Sequence, residues 1–142
     1  MAILLCIAMP DDTVTSYLPS NGITYIYTTE NLVAPECTSI PSGNGYIIKC
    51  DSTCSHALLT QLNKNKVLGV SFEIPNCDFN TLTQKLNLQL ICSQIVEDIV
   101  FVYGYSPRLS KFITVDGEKI NIQVAKRGDI VKVGYPLILD SV

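Results

Sequence analysis

Residues 112–125 decide the fold of this chain, and they read Phe112-Ile113-Thr114-Val115-Asp116-Gly117-Glu118-Lys119-Ile120-Asn121-Ile122-Gln123-Val124-Ala125. Asp116 and Gly117 can both adopt the positive φ angles that a type I′ hairpin turn requires. After the turn, residues 119–125 are expected to form one strand, in which apolar residues alternate with Asn121 and Gln123, so that one face enters the core and the other is polar. The stretch therefore predicts a hairpin within an antiparallel meander over residues 99–139.

Two neighbouring patterns extend this meander. Residues 99–105 are apolar on both faces, as expected for a strand that is covered on both sides or by a partner. Residues 126–129 contain Gly128 and predict a second turn, which leads into a strand over residues 130–139. Pro136 has no amide hydrogen, so we expect it at a strand edge or a bulge.

The first two thirds of the chain predict further strands and two helices. Four strands are expected, over residues 23–29, 45–50, 67–74 and 88–96. Residues 30–44 are rich in Asn, Pro, Ser and Gly and are expected to form a connection. One helix should begin after a cap at Asp51 or Ser52, and a second after a cap at Asp78.

Length and composition set the class of the protein. The chain has 142 residues, of which 47% are hydrophobic and 16% are charged, so it should fold around one core. We therefore expect a single α+β domain over residues 1–142. Its architecture should be a curved, mainly antiparallel sheet with two helices packed on one face.

Residues 2–9 form an apolar run that stops at Pro10. The run is far shorter than the roughly 18 residues of a membrane span, so no transmembrane span is expected. No Lys or Arg precedes it, although a complete export signal begins with basic residues. Residues 1–20 are therefore either a truncated export signal or a leader, or they include a first buried strand.

Charge is distributed unevenly along the chain. The net charge is -3, which argues against nucleic-acid binding because phosphate contacts need clustered Lys and Arg. Residues 106–132 nevertheless carry a net charge of +3, which leaves -6 for the remainder. This segment is either a solvated meander whose lysines guard its edges or a surface that faces a partner.

The six cysteines are expected to be reduced, because a domain of this length does not need disulfides. They stand at positions 6, 37, 50, 54, 77 and 92. Cys6 and Cys92 lie in apolar runs and are expected in the core. Residues 50–56 are the one cluster with metal-ligating atoms, but no second ligand pair accompanies them, so neither a metal nor a cofactor is expected.

A catalytic role finds little support in the sequence. His56 is the only histidine, so a small hydrolase would have to combine His56 with a Cys or Ser and a carboxylate. No nucleophile elbow, phosphate loop or dinucleotide fingerprint is present. A non-enzymatic binding or structural role is the favoured reading, and a hydrolase is the alternative.

Three segments stand out in the last third, namely Tyr103-Gly104-Tyr105-Ser106-Pro107, the stretch from Asp116 to Ala125, and Gly134-Tyr135-Pro136-Leu137-Ile138. Together they resemble the carboxy-terminal signature of the YwmB-like family of Bacillota. The resemblance implies a fold similar to TATA-box-binding protein and a location outside the cytoplasm, at the cell envelope. Members of that family have no assigned biochemical activity, so the resemblance implies an unknown protein or envelope partner.

The basic segment over residues 106–132, together with the strand before it, supplies the predicted partner surface. Its candidate residues are Tyr103, Tyr105, Arg108, Lys119, Asn121, Gln123, Lys126 and Arg127. A binding protein should present Asn121 and Gln123 on an open face with Lys119 and Arg127. An enzyme should instead bring the two amides together with a carboxylate in a closed pocket.

Overall fold

The computed structural model describes residues 22–31, 34, 36–61 and 66–139, so the expectation for residues 1–20 lies outside the described residues. In these ranges the chain forms ten strands and two helices. In order they are β1 (Ile23–Thr28), β2 (Cys37–Ser42), β3 (Gly45–Asp51), α1 (Ser52–Gln61), β4 (Val67–Pro75), α2 (Phe79–Leu86), β5 (Gln89–Val96), β6 (Ile99–Tyr105), β7 (Ile113–Val115), β8 (Glu118–Ile120), β9 (Ile122–Arg127) and β10 (Ile130–Tyr135).

Eight of these strands form one antiparallel sheet. Its strand order is β2-β3-β1-β4-β10-β9-β6-β5, and β7 pairs only with β8 in a separate two-stranded sheet. The expected α+β class, with a mainly antiparallel sheet and two helices, is confirmed. The order also shows that β2 and β5 are the two edges of the sheet.

Both helices pack on the same face of this sheet. Register places Ile26 opposite Val70, and Phe72 lies two residues further along β4, so the three side chains share a face. Leu58 of α1 packs beside Ile26, and Leu86 of α2 packs beside Val70 and Phe72. Each of these side chains is at most 4% exposed. Burying such a side chain stabilises the fold by about 1.5 to 3 kcal/mol.

The predicted turn at Asp116 and Gly117 is confirmed, because their φ angles are 51° and 81°. The expectation of one continuous strand from Lys119 to Ala125 is wrong. β8 pairs with β7, the chain leaves the strand conformation at Asn121, and β9 then joins the main sheet between β6 and β10. The hairpin is therefore an extension beside the meander β5-β6-β9-β10.

The expectation that residues 30–44 form only a connection is wrong, since β2 lies within them. β2 pairs with β3 across a turn in which Gly43 has a φ angle of 56°. Pro41 argues against a central strand but is tolerated on an edge strand. Because β2 is an edge, its sequence did not need the apolar alternation by which strands are recognised.

The face of the sheet opposite the two described helices, called the outer face below, is not simply polar as predicted. The expected strand over residues 130–139 ends at Tyr135, so its last four residues are predicted wrongly. Residues 136–139, the C-terminal strap, fold back over the outer face, where Gly134 leaves room for their backbone. The strap is tied down by hydrogen bonds from the Ile138 amide to Gln123 (2.8 Å) and from the Leu139 amide to Ser71 (3.3 Å). The outer face of β9 is therefore largely covered.

The two predicted helix caps have different outcomes. The Asp51 carboxylate accepts a hydrogen bond from the Thr53 amide at 3.0 Å, which confirms it as a cap. Asp78 precedes α2 but makes no capping bond with its side chain, so its predicted capping role is wrong. A turn of 3₁₀ helix over Asn76–Asp78 leads into α2 instead.

Candidate binding surface

The residues of the predicted partner surface do not form one surface. Tyr103 and Tyr105 lie on the outer face of β6, since Tyr103 is paired with Gln123 of β9. Both tyrosines are partly buried. Lys119 lies on the separate hairpin, and Lys126 points to the helix face. The structure thus distributes the candidates over three places in the molecule.

Asn121 is buried and bonded to backbone, so its expected place on an open face is wrong. The side chain is 1% exposed. Its Oδ1 accepts a hydrogen bond from the Ser106 amide at 2.8 Å, and its Nδ2 donates to the Ser106 carbonyl at 2.8 Å. Nδ2 also lies 3.4 Å from the Leu109 carbonyl. Asn121 therefore holds the loop between β6 and β7 against the start of β9.

Gln123 has a comparable structural task on the outer face. Its Oε1 accepts from the Ile138 amide, and its Nε2 lies 3.4 Å from the Tyr103 hydroxyl. The side chain thereby connects β9 with both β6 and the C-terminal strap. Neither amide side chain meets a carboxylate in a closed pocket, so the arrangement predicted for an enzyme is also not observed.

The basic candidates have partners within the chain. The Lys126 ammonium lies 5.2 Å from the centre of the Phe79 ring, and the Lys119 ammonium lies 4.8 Å from the Phe112 ring. Arg127 forms an ion pair with Asp98 at 3.2 Å. The hydrogen bond from Arg127 lowers the pKa of the Asp98 carboxyl below its ordinary value. Arg108 is exposed.

A different feature stands out at the β5 edge. β5 reads Gln89-Leu90-Ile91-Cys92-Ser93-Gln94-Ile95-Val96, without a charged residue or a proline. Leu90 is 61% exposed, Ile95 73% and Val96 42%. Cys92 is exposed as well, so its expected place in the core is wrong. β5 lies at the end of the described strand order, and no described strand pairs with its outer side.

The free hydrogen-bonding groups of β5 follow from the turn that joins it to β6. Val96 pairs with Ile99 across residues 97–98, and the pair that closes a two-residue turn exchanges both backbone hydrogen bonds. Because antiparallel bonding alternates, the amides and carbonyls of Ser93 and Ile95 point away from β6. Within the described ranges no strand pairs with them.

The opposite edge, β2, is partly protected, because two of its three outward-facing positions, Cys37 and Pro41, offer no free amide. The Cys37 amide donates to the Ala34 carbonyl at 3.2 Å, and the Ser39 hydroxyl bonds to Asn31 at 2.9 Å. Pro41 has no amide hydrogen to offer. Natural sheets commonly protect their edges by such means. The two edges of this sheet therefore differ in how far their outward backbone groups are protected from pairing with another strand.

The chemistry available elsewhere is limited. His56 lies on α1, and its side chain is outside the described residues. Among the residues that the structure describes, no three His, Cys, Asp or Glu side chains cluster closely enough to hold a metal ion. Neither of the described helices combines the length and the apolar character needed to cross a bilayer.

Sequence reasoning missed the β5 edge because a strand pattern does not say which strands have neighbours. The absence of Lys, Glu and Pro from residues 89–96 was the available signal, since guarded edges usually carry them.

Comparison with known proteins found no match to a protein family, a curated protein or a solved structure.

Proposed function

We propose that this protein is a non-enzymatic binding protein that takes up an extended segment of a partner protein as an added strand along β5. The carrying observation is the contrast between the two edges of one sheet. β2 has Pro41 and hydrogen bonds to neighbouring residues, whereas β5 has exposed apolar side chains, no charge and outward backbone groups that no described strand pairs with. An added strand would satisfy those backbone groups and cover those side chains.

The side chains of β5 and its neighbour set the chemistry of the partner segment. Leu90 and Ile95 pair with β6 residues that face the helices, so they offer apolar contacts on that side. On the outer face, Val96 adjoins the row that contains Tyr103 and Tyr105. A fitting segment is uncharged along its length and apolar at alternate positions, so that its apolar face meets Leu90 and Ile95 on the helix side.

A partner segment fits this edge better than a second copy of the chain. A standard protein interface engages roughly 20 to 30 residues on each side. β5 has 8 residues, so a dimer held by edge pairing alone would engage fewer residues than a standard interface does. A short extended segment gains most of its affinity from backbone hydrogen bonds along one strand, which is what β5 can provide.

The proposal includes a location at the cell envelope and a curved sheet similar to that of TATA-box-binding protein. Both are supported by the resemblance of residues 103–107, 116–125 and 134–138 to the YwmB-like family. The acidic balance of the chain supports a protein partner over a nucleic acid, because a phosphate backbone would be repelled.

The test uses a displayed library of random peptides as long as β5. We expect the purified protein to select uncharged peptides with alternating apolar residues. Ser93→Pro removes an amide that faces the free edge while leaving the bonds to β6 intact. Ile95→Lys places a charge on the same edge. Each variant should bind the selected peptides about tenfold more weakly or worse, a loss of about 1.4 kcal/mol.

Ile40→Lys is the matched control. Ile40 is 55% exposed on β2, the partly protected edge, so this variant should bind the peptides as the unchanged protein does. A library that yields no selected peptides would overturn the proposal. So would equal binding to Ser93→Pro, or a concentration-dependent dimer that Ile95→Lys abolishes, since that result would assign the edge to a second copy.

A further inference from the structure

Two cysteines face each other at the end of the sheet that lies far from β5. Register pairs Cys37 of β2 with Cys50 of β3. Paired residues in an antiparallel sheet project to the same face, so both thiols lie on the helix side. Cys50 is 3% exposed, and Cys37 is partly buried against the same core cluster as Leu58.

The pair occupies a site without backbone hydrogen bonds between its two members. The Cys37 amide donates to the Ala34 carbonyl, so it is not available to Cys50. The Ser52 amide donates to the Gly22 carbonyl at 2.9 Å, which directs alternate β3 residues, Cys50 included, toward β1. At such sites the Cα atoms are about 4.5 Å apart and the side chains lie closest. That separation is within the range that disulfides span.

A third thiol nearby is directed elsewhere. Cys54 in the first turn of α1 donates a hydrogen bond to the Glu36 carboxylate at 3.2 Å. That hydrogen bond raises the pKa of the Cys54 thiol, which disfavours the reactive thiolate. The environment thus distinguishes Cys54 from the facing pair.

We propose that Cys37 and Cys50 form a cross-strand disulfide when the protein meets a small-molecule disulfide such as oxidised glutathione. The Cys37 sulfur attacks the oxidant, a Cys37 mixed disulfide forms, and one glutathione thiolate leaves. The Cys50 sulfur then attacks Cys37, and its proton goes to the second departing glutathione. Two protein thiols and one oxidant disulfide become one protein disulfide and two glutathione thiols.

The order of these steps follows from the two environments. Burial, together with the neighbouring Cys37, raises the pKa of the Cys50 thiol to about 12. Cys50 therefore stays protonated near neutral pH, and the more accessible Cys37 is the first nucleophile. Once the mixed disulfide forms, Cys50 lies directly opposite the sulfur that it must attack.

The bond would fasten the partly protected edge β2 to β3 and is independent of the binding role of β5. Closing residues 37–50 into a loop restricts the unfolded chain, so the oxidised protein should melt about 5 to 10 °C higher than the reduced protein. Such a bond persists in oxidising compartments and is rare in a reduced cytosol.

The test is disulfide mapping of the native protein after incubation with oxidised glutathione. Digestion with trypsin and a protease specific for glutamyl bonds separates residues 37–49 from residues 50–64. We expect these two peptides to be linked, and fragmentation of the linked species should assign the bond to Cys50 and not to Cys54.

Variants make the assignment independent of fragmentation. Cys54→Ser should still give the same linked peptide, whereas Cys37→Ser should lose the link. Cys92→Ser is the control for exposed thiols and should behave as the unchanged protein does. Links from Cys54, absence of any link in the unchanged protein, or equal yield of the link in concentrated urea would each overturn the proposal.

Discussion

Replacing Asn121 by Ala tests whether this residue stabilises the loop between β6 and β7 or belongs to a partner surface. The substitution leaves the Ser106 amide and carbonyl without their side-chain partner. Ser106 is fully buried, so water cannot replace the lost bonds. Each buried group left unsatisfied costs about 1 to 3 kcal/mol, so we expect the free energy of unfolding to fall by about 2 to 6 kcal/mol.

Urea denaturation of the variant measures this loss directly. Asn80 is exposed on α2, so Asn80→Ala is a matched control and should change the free energy of unfolding by less than about 0.5 kcal/mol. Asn121→Asp keeps the shape but loses the amide donor; acidification protonates the carboxyl, restores a donor and should reduce the deficit. A fall in the free energy of unfolding of less than about 1 kcal/mol for Asn121→Ala would refute this stabilising role.

Three further substitutions test the turn, the strap and the exposed ion pair. Gly117→Ala places a side chain at a φ angle of 81° and should lower the free energy of unfolding by about 1 to 2 kcal/mol in urea. Gly134→Ala puts a methyl group against the backbone of the C-terminal strap and should cost about 1 to 3 kcal/mol; no change would show that the strap is not packed there. Arg127→Ala should raise the pKa of Asp98 toward its ordinary value in an NMR titration, and an unchanged titration would contradict the ion pair. Because the folded state lowers that pKa, the stabilisation from the pair is present above the ordinary carboxyl pKa and is lost as the pH falls through the folded value.

Much of the fold was predictable because its signals are local. The positive φ angles at Asp116 and Gly117 follow from residue type, and the alternation of Val70, Phe72 and Ile74 marks the buried face of β4. Such patterns depend only on neighbours in sequence. They therefore give the elements and leave the order of strands in the sheet open.

The features that the sequence left open depend on contacts between distant residues. Asn121 and Gln123 alternate with apolar residues as solvent-facing residues would, but the loop after β6 buries Asn121 and the C-terminal strap partly covers Gln123. The facing of Cys37 and Cys50 depends on the edge strand β2, which has a weak strand pattern. The exposure of β5 is likewise a property of its place in the sheet.

The central claim is that β5 accepts an added strand, and amide hydrogen exchange tests it most directly. The exchange is measured with and without a peptide selected from the displayed library. The outward-facing amides of Ser93 and Ile95 should exchange more slowly when the peptide is bound, while β2 stays unchanged. Protection of β2, or unchanged exchange at Ser93 and Ile95 in the presence of saturating peptide, would contradict the account.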